Sequence, residues 1–265
     1  LLAIGAAALA ARGDARIGSV TLFAAQTDFS EPGELAVFIS PGQLAALEAM
    51  MQKDGVLKSE SMGLAFALLR GADLMWAPTI NQYLRGERGT MNDLMAWNAD
   101  GTRMPCRMHS EYLNRLYLAN DLAAGRFTLN GQPVDLARIT VPMFVVGTET
   151  DHVAPWQSVY KARALTRSGD YTFLLTSGGH NAGIISGPVH PKRRHRLLTW
   201  DNPFTAPTPG EFLEQAPVRE GSWWPTWQDW LARHSAATRT APPSMGNSSA
   251  GYPPLADAPG SYVRG

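Results

Sequence analysis

The sequence predicts an α/β fold, a mostly parallel sheet interrupted by a helical insertion, and three observations carry that expectation. Residues 141–147 and 171–176 are apolar runs with the length and the β-branched, aromatic texture of buried strands. Between them Pro155 suits a first helical turn, and Val159, Ala162 and Leu165 continue at helical spacing, so strand, helix and strand form a βαβ unit. Upstream, residues 42–122 have helical periodicity with few strand signals, which reads as an insertion between two parts of one sheet.

Taken in order, residues 1–11 are rich in alanine and leucine and read as a buried helix stopped at Gly13. The run is too short to span a bilayer and has no basic segment before it, as a signal peptide would. Residues 17–25 read as a buried strand ended by Asp28 and the turn Glu31-Pro32-Gly33. Helices follow at 44–51, 62–69, 74–84, 91–97 and 108–122. Residues 121–135, with Gly125 and Gly131, read as a connection back to the sheet, where residues 139–147 form the next strand. Near the end, Trp224, Trp227 and Leu231 share one face of a tryptophan-rich helix, and from Ala241 onward proline, glycine, serine and alanine predict a surface tail. The expected division is 1–30, a remnant of the sheet core; 31–125, a helical cap; 126–240, the core with its functional loops; and 241–265, the tail. Because the chain starts without methionine and inside a helix, it is expected to be a piece of a longer protein.

Composition narrows the function classes. Lysine plus arginine, 23, equals aspartate plus glutamate, 23, so no global field draws the protein to nucleic acid or an anionic membrane. A single cysteine, Cys106, can form neither an intrachain disulfide nor a cysteine-based zinc site, which points to a cytoplasmic location. His109, His190, His195 and His234 lack metal-ligand spacing, so neither a metal nor a bound cofactor is expected. The run Lys192-Arg193-Arg194-His195-Arg196 reads either as a solvated surface or as a contact for nucleotide-like phosphates.

The chemistry centres on Asp151 and His180. Each follows one strand of the βαβ unit, at the carboxyl ends where open α/β sheets place ligands. In a nucleophilic acyl-transfer site of α/β-hydrolase type, a carboxylate fixes the imidazole tautomer while the other ring nitrogen activates a Ser or Cys. Asp151 and His180 match the acid and the base in order and context, and Gly178, Gly179 and Gly183 would let the loop bring the ring into a crowded site. The same residues also fit a helix cap and an ordinary loop histidine. The nucleophile is what the chain lacks: no Gly-x-Ser-x-Gly or Gly-x-Cys-x-Gly occurs in it. Cys106 has no flanking glycines and reads as structural, Ser177 is a poor substitute, and by chain order the turn is expected before Leu1. His152, next to Asp151, reads either as a substrate contact or as packing.

Several motifs together resemble one family. Residues 95–105 (Met-Ala-Trp-Asn-Ala-Asp-Gly-Thr-Arg-Met-Pro), 108–113 (Met-His-Ser-Glu-Tyr-Leu), 151–156 (Asp-His-Val-Ala-Pro-Trp), 177–183 (Ser-Gly-Gly-His-Asn-Ala-Gly) and 221–225 (Gly-Ser-Trp-Trp-Pro) are similar to motifs of class I poly(3-hydroxyalkanoate) synthases. The resemblance implies an α/β-hydrolase fold with a helical cap, acting on (R)-3-hydroxyacyl-CoA to lengthen a polyester with release of CoA. It implies a cysteine nucleophile upstream of Leu1, His180 as general base for the thiol, and Asp151 as the aspartate that helps activate the 3-hydroxyl. It further implies substrate-binding roles for His152 and for Trp97 in the cap, a homodimer joined through the cap, and residence at cytoplasmic polymer granules. The His180 loop continues Asn-Ala-Gly-Ile-Ile-Ser where many members read Ile-Ala-Gly-Asn-Pro-Pro, a difference that bears on side-chain preference. Two other readings stand beside it: an esterase, thioesterase or polyester depolymerase using the same Asp151 and His180, and an inactive truncated interaction module that dimerises through the cap and binds granules.

Overall fold

The computed structural model describes the chain except residues 70, 72–74, 88, 92, 191, 203–204 and 258–265, with 94, 98 and 99 described as backbone alone. It opens with α1 (Leu2–Ala11), where Ala3, Ile4, Ala6 and Ala7 are buried. The small side chains of Ala3, Ala6 and Ala7 let the helix lie close to the sheet. β1 (Val20–Phe23) is shorter than the expected 17–25 because it pairs with only one neighbour, from Val20 opposite Met143 to Phe23 opposite Val146.

The helical stretch follows. α2 (Pro41–Asp54) is capped by the Ser40 hydroxyl, which accepts from the Gln43 amide, and it stops at Gly55 in the left-handed region. Then come β2 (Val56–Leu57), α3 (Ser59–Leu69), α4 (Ala77–Leu84), α5 (Asp93–Ala99), β3 (Met104–Pro105) and α6 (Cys106–Tyr112). Position 74, where the third of these helices was expected to begin, lies outside the described residues. β2 and β3 pair antiparallel, a small ladder that the helical texture did not announce. The expected single helix at 108–122 is corrected. α6 passes into a π-helical turn over Leu113–Leu118, and the chain then breaks away at Asn120, whose φ is 49°. A hairpin of β4 (Thr128–Leu129) and β5 (Gln132–Pro133) occupies the expected connection.

The sheet resumes with β6 (Met143–Thr148), then α7 (Trp156–Tyr160) and α8 (Ala162–Leu165) in place of one continuous helix, then β7 (Tyr171–Thr176). α9 (His180–Ile184), β8 (Arg194–Trp200), α10 (Pro209–Gln215), β9 (Arg219–Glu220) and α11 (Trp224–Arg233) complete the architecture. The five strands lie in the order β1-β6-β7-β8-β9. The first three are parallel; β8 runs antiparallel to β7, and β9, antiparallel to β8, points the same way as the first three, so the mixed α/β sheet is mostly parallel with β8 reversed.

Alternation along the strands divides the core. Met143, Val145, Tyr171, Phe173 and Leu175 pack with α1, α7 and Phe212 of α10, while Phe144, Val146 and Leu174 pack against Trp223 and Trp230. With both faces covered, β6 and β7 are buried at every position, which is why they appear in the sequence as unbroken apolar runs. The tryptophan face packs on the sheet: Trp223 and Trp230 are its fully buried members, and Trp224, Trp227 and Leu231, partly buried, pack against the same cluster. The basic run is only partly a solvated surface, with Lys192 and Arg194 exposed. Arg194 pairs with Glu149, Arg196 donates to the Leu213 and Ala216 carbonyls, and His195 is buried, all within or at the start of β8.

Candidate active site

Because β6 and β7 are parallel neighbours with Thr148 opposite Thr176, the loops that leave their carboxyl ends emerge side by side. Backbone hydrogen bonds continue past the strands, from the Glu149 amide to the Thr176 carbonyl at 2.9 Å and from Thr150 to Gly178 at 3.1 Å. The two loops are thereby locked in register, and His180 Nδ1 meets Asp151 Oδ2 at 2.8 Å.

Asp151 is enclosed and fully occupied. Its Oδ1 accepts from the Val153 and Ala154 amides at 2.9 and 2.8 Å, and its Oδ2 accepts from the Thr148 hydroxyl at 3.1 Å as well as facing the imidazole. Burial pushes the carboxyl pKa up, but the hydrogen bond and charge of His180, with the two backbone N–H groups, outweigh it and hold the carboxyl below its ordinary value. Asp151 is not the cap of α7, whose N-cap is Pro155 with no side-chain cap; it closes the turn before that helix and faces His180 Nδ1. His180 is the first residue of α9 rather than part of a free loop.

The backbone around His180 is crowded. Gly178 has φ 106°, a left-handed conformation, and a Cβ there would stand 2.6 Å from Arg193 Nη1. A Cβ on Gly183 would stand 2.6 Å from Thr148 Cγ2. Arg193 ties the segment from outside, donating to the Ser177 carbonyl at 3.2 Å and the Ala182 carbonyl at 2.6 Å. Thr148 and Arg193 are the supporting residues that sequence reasoning did not single out. Arg193 was visible only as one cation in a basic run.

The imidazole borders a cavity of about 490 Å³. Its walls include Leu1 to Ile4 at the start of α1, Phe23 to Thr27 after β1, and Met104, Tyr112 and Tyr117 from the helical region. Tyr112 and Tyr117 come together because a π turn places residues five apart on one face; their rings are 5.6 Å apart. Burial, acting first, raises the pKa of both phenols, so both remain neutral. Thr27 is buried in this wall with its hydroxyl unpaired.

The remaining sequence candidates lie apart. His152 does not line this cavity; its carbonyl accepts from Glu34, and its Nδ1 is buried without a partner. Trp97 is 60% exposed on α5, also outside the cavity. Cys106 borders a separate shallow groove with Glu48 and Ser110. Among the described residues, no cluster of three or more His, Cys, Asp or Glu side chains could hold a metal, and no helix is long and apolar enough to cross a membrane.

A carboxylate hydrogen-bonded to an imidazole at the carboxyl edge of parallel strands, beside an apolar cavity, is an arrangement on an α/β sheet that can support acid–base chemistry. The chain is 39% identical over its whole length to a poly(3-hydroxyalkanoate) polymerase of Methylorubrum extorquens, of which it spans 42%. Over 97% of its length it is 38% identical to the poly(3-hydroxyalkanoate) polymerase subunit PhaC of Cupriavidus necator, spanning 44% of that protein. Poly(3-hydroxyalkanoate) polymerase 2 of Ectopseudomonas oleovorans matches 94% of the chain at 32% identity, with 43% of its own length covered. No protein-family model matches. The chain belongs to the poly(3-hydroxyalkanoate) polymerase family, and it spans less than half the length of these relatives.

Proposed function

We propose that the whole protein is an acyltransferase of α/β-hydrolase type that polymerises (R)-3-hydroxyacyl-CoA into a polyester with release of CoA. The observation that carries this reading is the Asp151–His180 pair beside an apolar cavity that the start of α1 also lines. In a nucleophile-elbow arrangement the nucleophile sits immediately before such a helix. A thiol supplied from residues preceding Leu1 would then face the imidazole.

In this scheme Asp151 holds Nδ1, which leaves His180 Nε2 to take the thiol proton. The thiolate attacks the acyl-CoA carbonyl; the C–S bond to CoA breaks, and the proton on Nε2 passes to the departing CoA sulfur. Next, the 3-hydroxyl of an incoming unit gives its proton to Nε2 and attacks the enzyme thioester. An ester bond forms, and the proton returns to the released cysteine sulfur. Both Asp151 oxygens are already occupied by protein donors, which favours a carboxylate acting through His180 over one that touches the hydroxyl itself. Tyr112, Tyr117 and the α1 residues keep the cavity apolar, so the acyl-enzyme is shielded from water.

The cap is proposed to join two copies and to meet the polymer granule in the cytoplasm. Support comes from Leu64, Leu68, Trp76, Tyr83 and Leu84 of the α3–α4 region, which are large, apolar and exposed together with Trp97. The deciding experiment supplies the whole protein with (R)-3-hydroxybutyryl-CoA. Equimolar thiol release with insoluble polyester is expected. Free 3-hydroxybutyrate without polymer would replace this reading with a thioesterase.

A further inference from the structure

A second cavity, about 450 Å³, lies inside the helical region, walled by Phe38 before α2, Leu57 of β2, and Met62, Ala65 and Phe66 of α3. It shares Met104, Tyr112, Tyr117 and Val153 with the cavity of His180, so one set of side chains separates the two spaces. His109 of α6 also lines it. The residue is buried, yet its ring makes no hydrogen bond, and its Nδ1 is sealed without a partner. Buried polar groups in folded proteins are normally satisfied, and an unpaired buried N–H is rarer than an unpaired acceptor. The ring proton therefore belongs on Nε2, which the protein neither bonds nor seals. Burial also holds the imidazole neutral by lowering its pKa.

We propose that this second cavity binds the acyl portion of the substrate, a hydrocarbon chain carrying hydroxyl and ester oxygens, with His109 Nε2–H donating to one of those oxygens. The inference rests on the 3-hydroxyacyl reading of the adjoining site. Its chemistry is nonetheless its own. The wall is mostly hydrocarbon, and an imidazole donor matches a chain that is apolar between widely spaced oxygens. The pantetheine arm of CoA, with two amides to satisfy, suits such a wall poorly. Continuity through Tyr112 and Tyr117 gives a chain attached near His180 a direct route into the space.

The test is binding without turnover. The whole protein, with histidine labelled by ¹³C and ¹⁵N, is titrated with methyl 3-hydroxyoctanoate and, separately, with CoA. The His109 resonances are identified by their loss in His109→Phe. The ester should shift them saturably, Ala65→Trp should abolish the shift by filling the cavity, and CoA should leave them in place. A folded wild-type protein whose His109 signals ignore the ester, or move with CoA alone, overturns the proposal. A second measurement stands if Ala65→Trp does not fold: His109→Phe should lower the ratio of affinity for methyl 3-hydroxyoctanoate over affinity for octane, which has no oxygen to accept from Nε2–H, by about tenfold. An unchanged ratio counts against the site. Ester binding at His109 in a protein that makes no polymer would sink the polymerase reading and leave the cavity assignment intact; polymer formation without that binding would do the reverse.

Discussion

Asp151 and His180, each beyond the end of its own strand, are joined by a 2.8 Å contact because Thr148 and Thr176 stand opposite each other in parallel register. The carboxylate also accepts from the Thr148 hydroxyl and the Val153 and Ala154 amides, so its orientation does not depend on the histidine. Asp151→Asn places an amide where every neighbour is a donor or the imidazole, and His180→Ala removes the base. In the whole protein each change should lower CoA release by about 10³- to 10⁴-fold. Stopped-time thiol assays alongside circular dichroism check this; near-normal turnover in either variant would take that residue out of the mechanism.

Arg193 bridges the Ser177 and Ala182 carbonyls on either side of His180. Arg193→Ala should leave the α9 segment free to shift and reduce kcat by about 10²-fold, since displacements near 1 Å can cost that much. KM should change little. Arg193→Lys should not restore the rate, because a single ammonium cannot span both carbonyls as a planar guanidinium does.

Gly183 has no room for a side chain. In Gly183→Ala the new Cβ meets Thr148 Cγ2 at 2.6 Å, and relieving the overlap should cost about 1–3 kcal/mol by urea denaturation. Adding Thr148→Ser removes the opposing methyl while keeping the hydroxyl that serves Asp151. The double variant should recover part of the loss, and strict additivity of the two single changes would refute the contact.

His109 and His195 both have pKa values lowered from 6.5, chiefly by burial. Between each lowered value and 6.5 the unfolded chain binds more protons than the folded one, so stability rises with pH there. Their contribution is fully present above 6.5 and is lost as pH falls through the folded values. Asp151, held below 3.8, acts the same way in a more acidic window. Denaturation midpoints should therefore begin to drop on acidification below 6.5, and replacing both histidines should flatten that first decline. An unaltered slope in the double variant would contradict the burial argument.

Much of this was legible along the chain. β6 and β7 are buried on both faces and so appear as unbroken apolar runs, and Asp151 and His180 follow them at distances a short loop can cover. β8 was hidden because it opens on Arg194-His195-Arg196, a basic run shared by a solvated segment. A local signal was available for α10, where Thr208 and Glu211 form a capping box three residues apart. Nothing in helical spacing pairs Tyr112 with Tyr117; only the π turn does.

By itself the sequence determined the period of its strands and helices and the presence of an acid and a base each just past a strand, which depend on residues near one another in the chain, and the neutral charge balance, which depends on composition alone. The tertiary structure decided how these meet: the parallel register that joins Asp151 to His180, the antiparallel turn-back of β8, and the two cavities that share Tyr112 and Tyr117. These are contacts between distant residues, selected by burial of both sheet faces and by the satisfaction of backbone hydrogen bonds, and no local pattern encodes them.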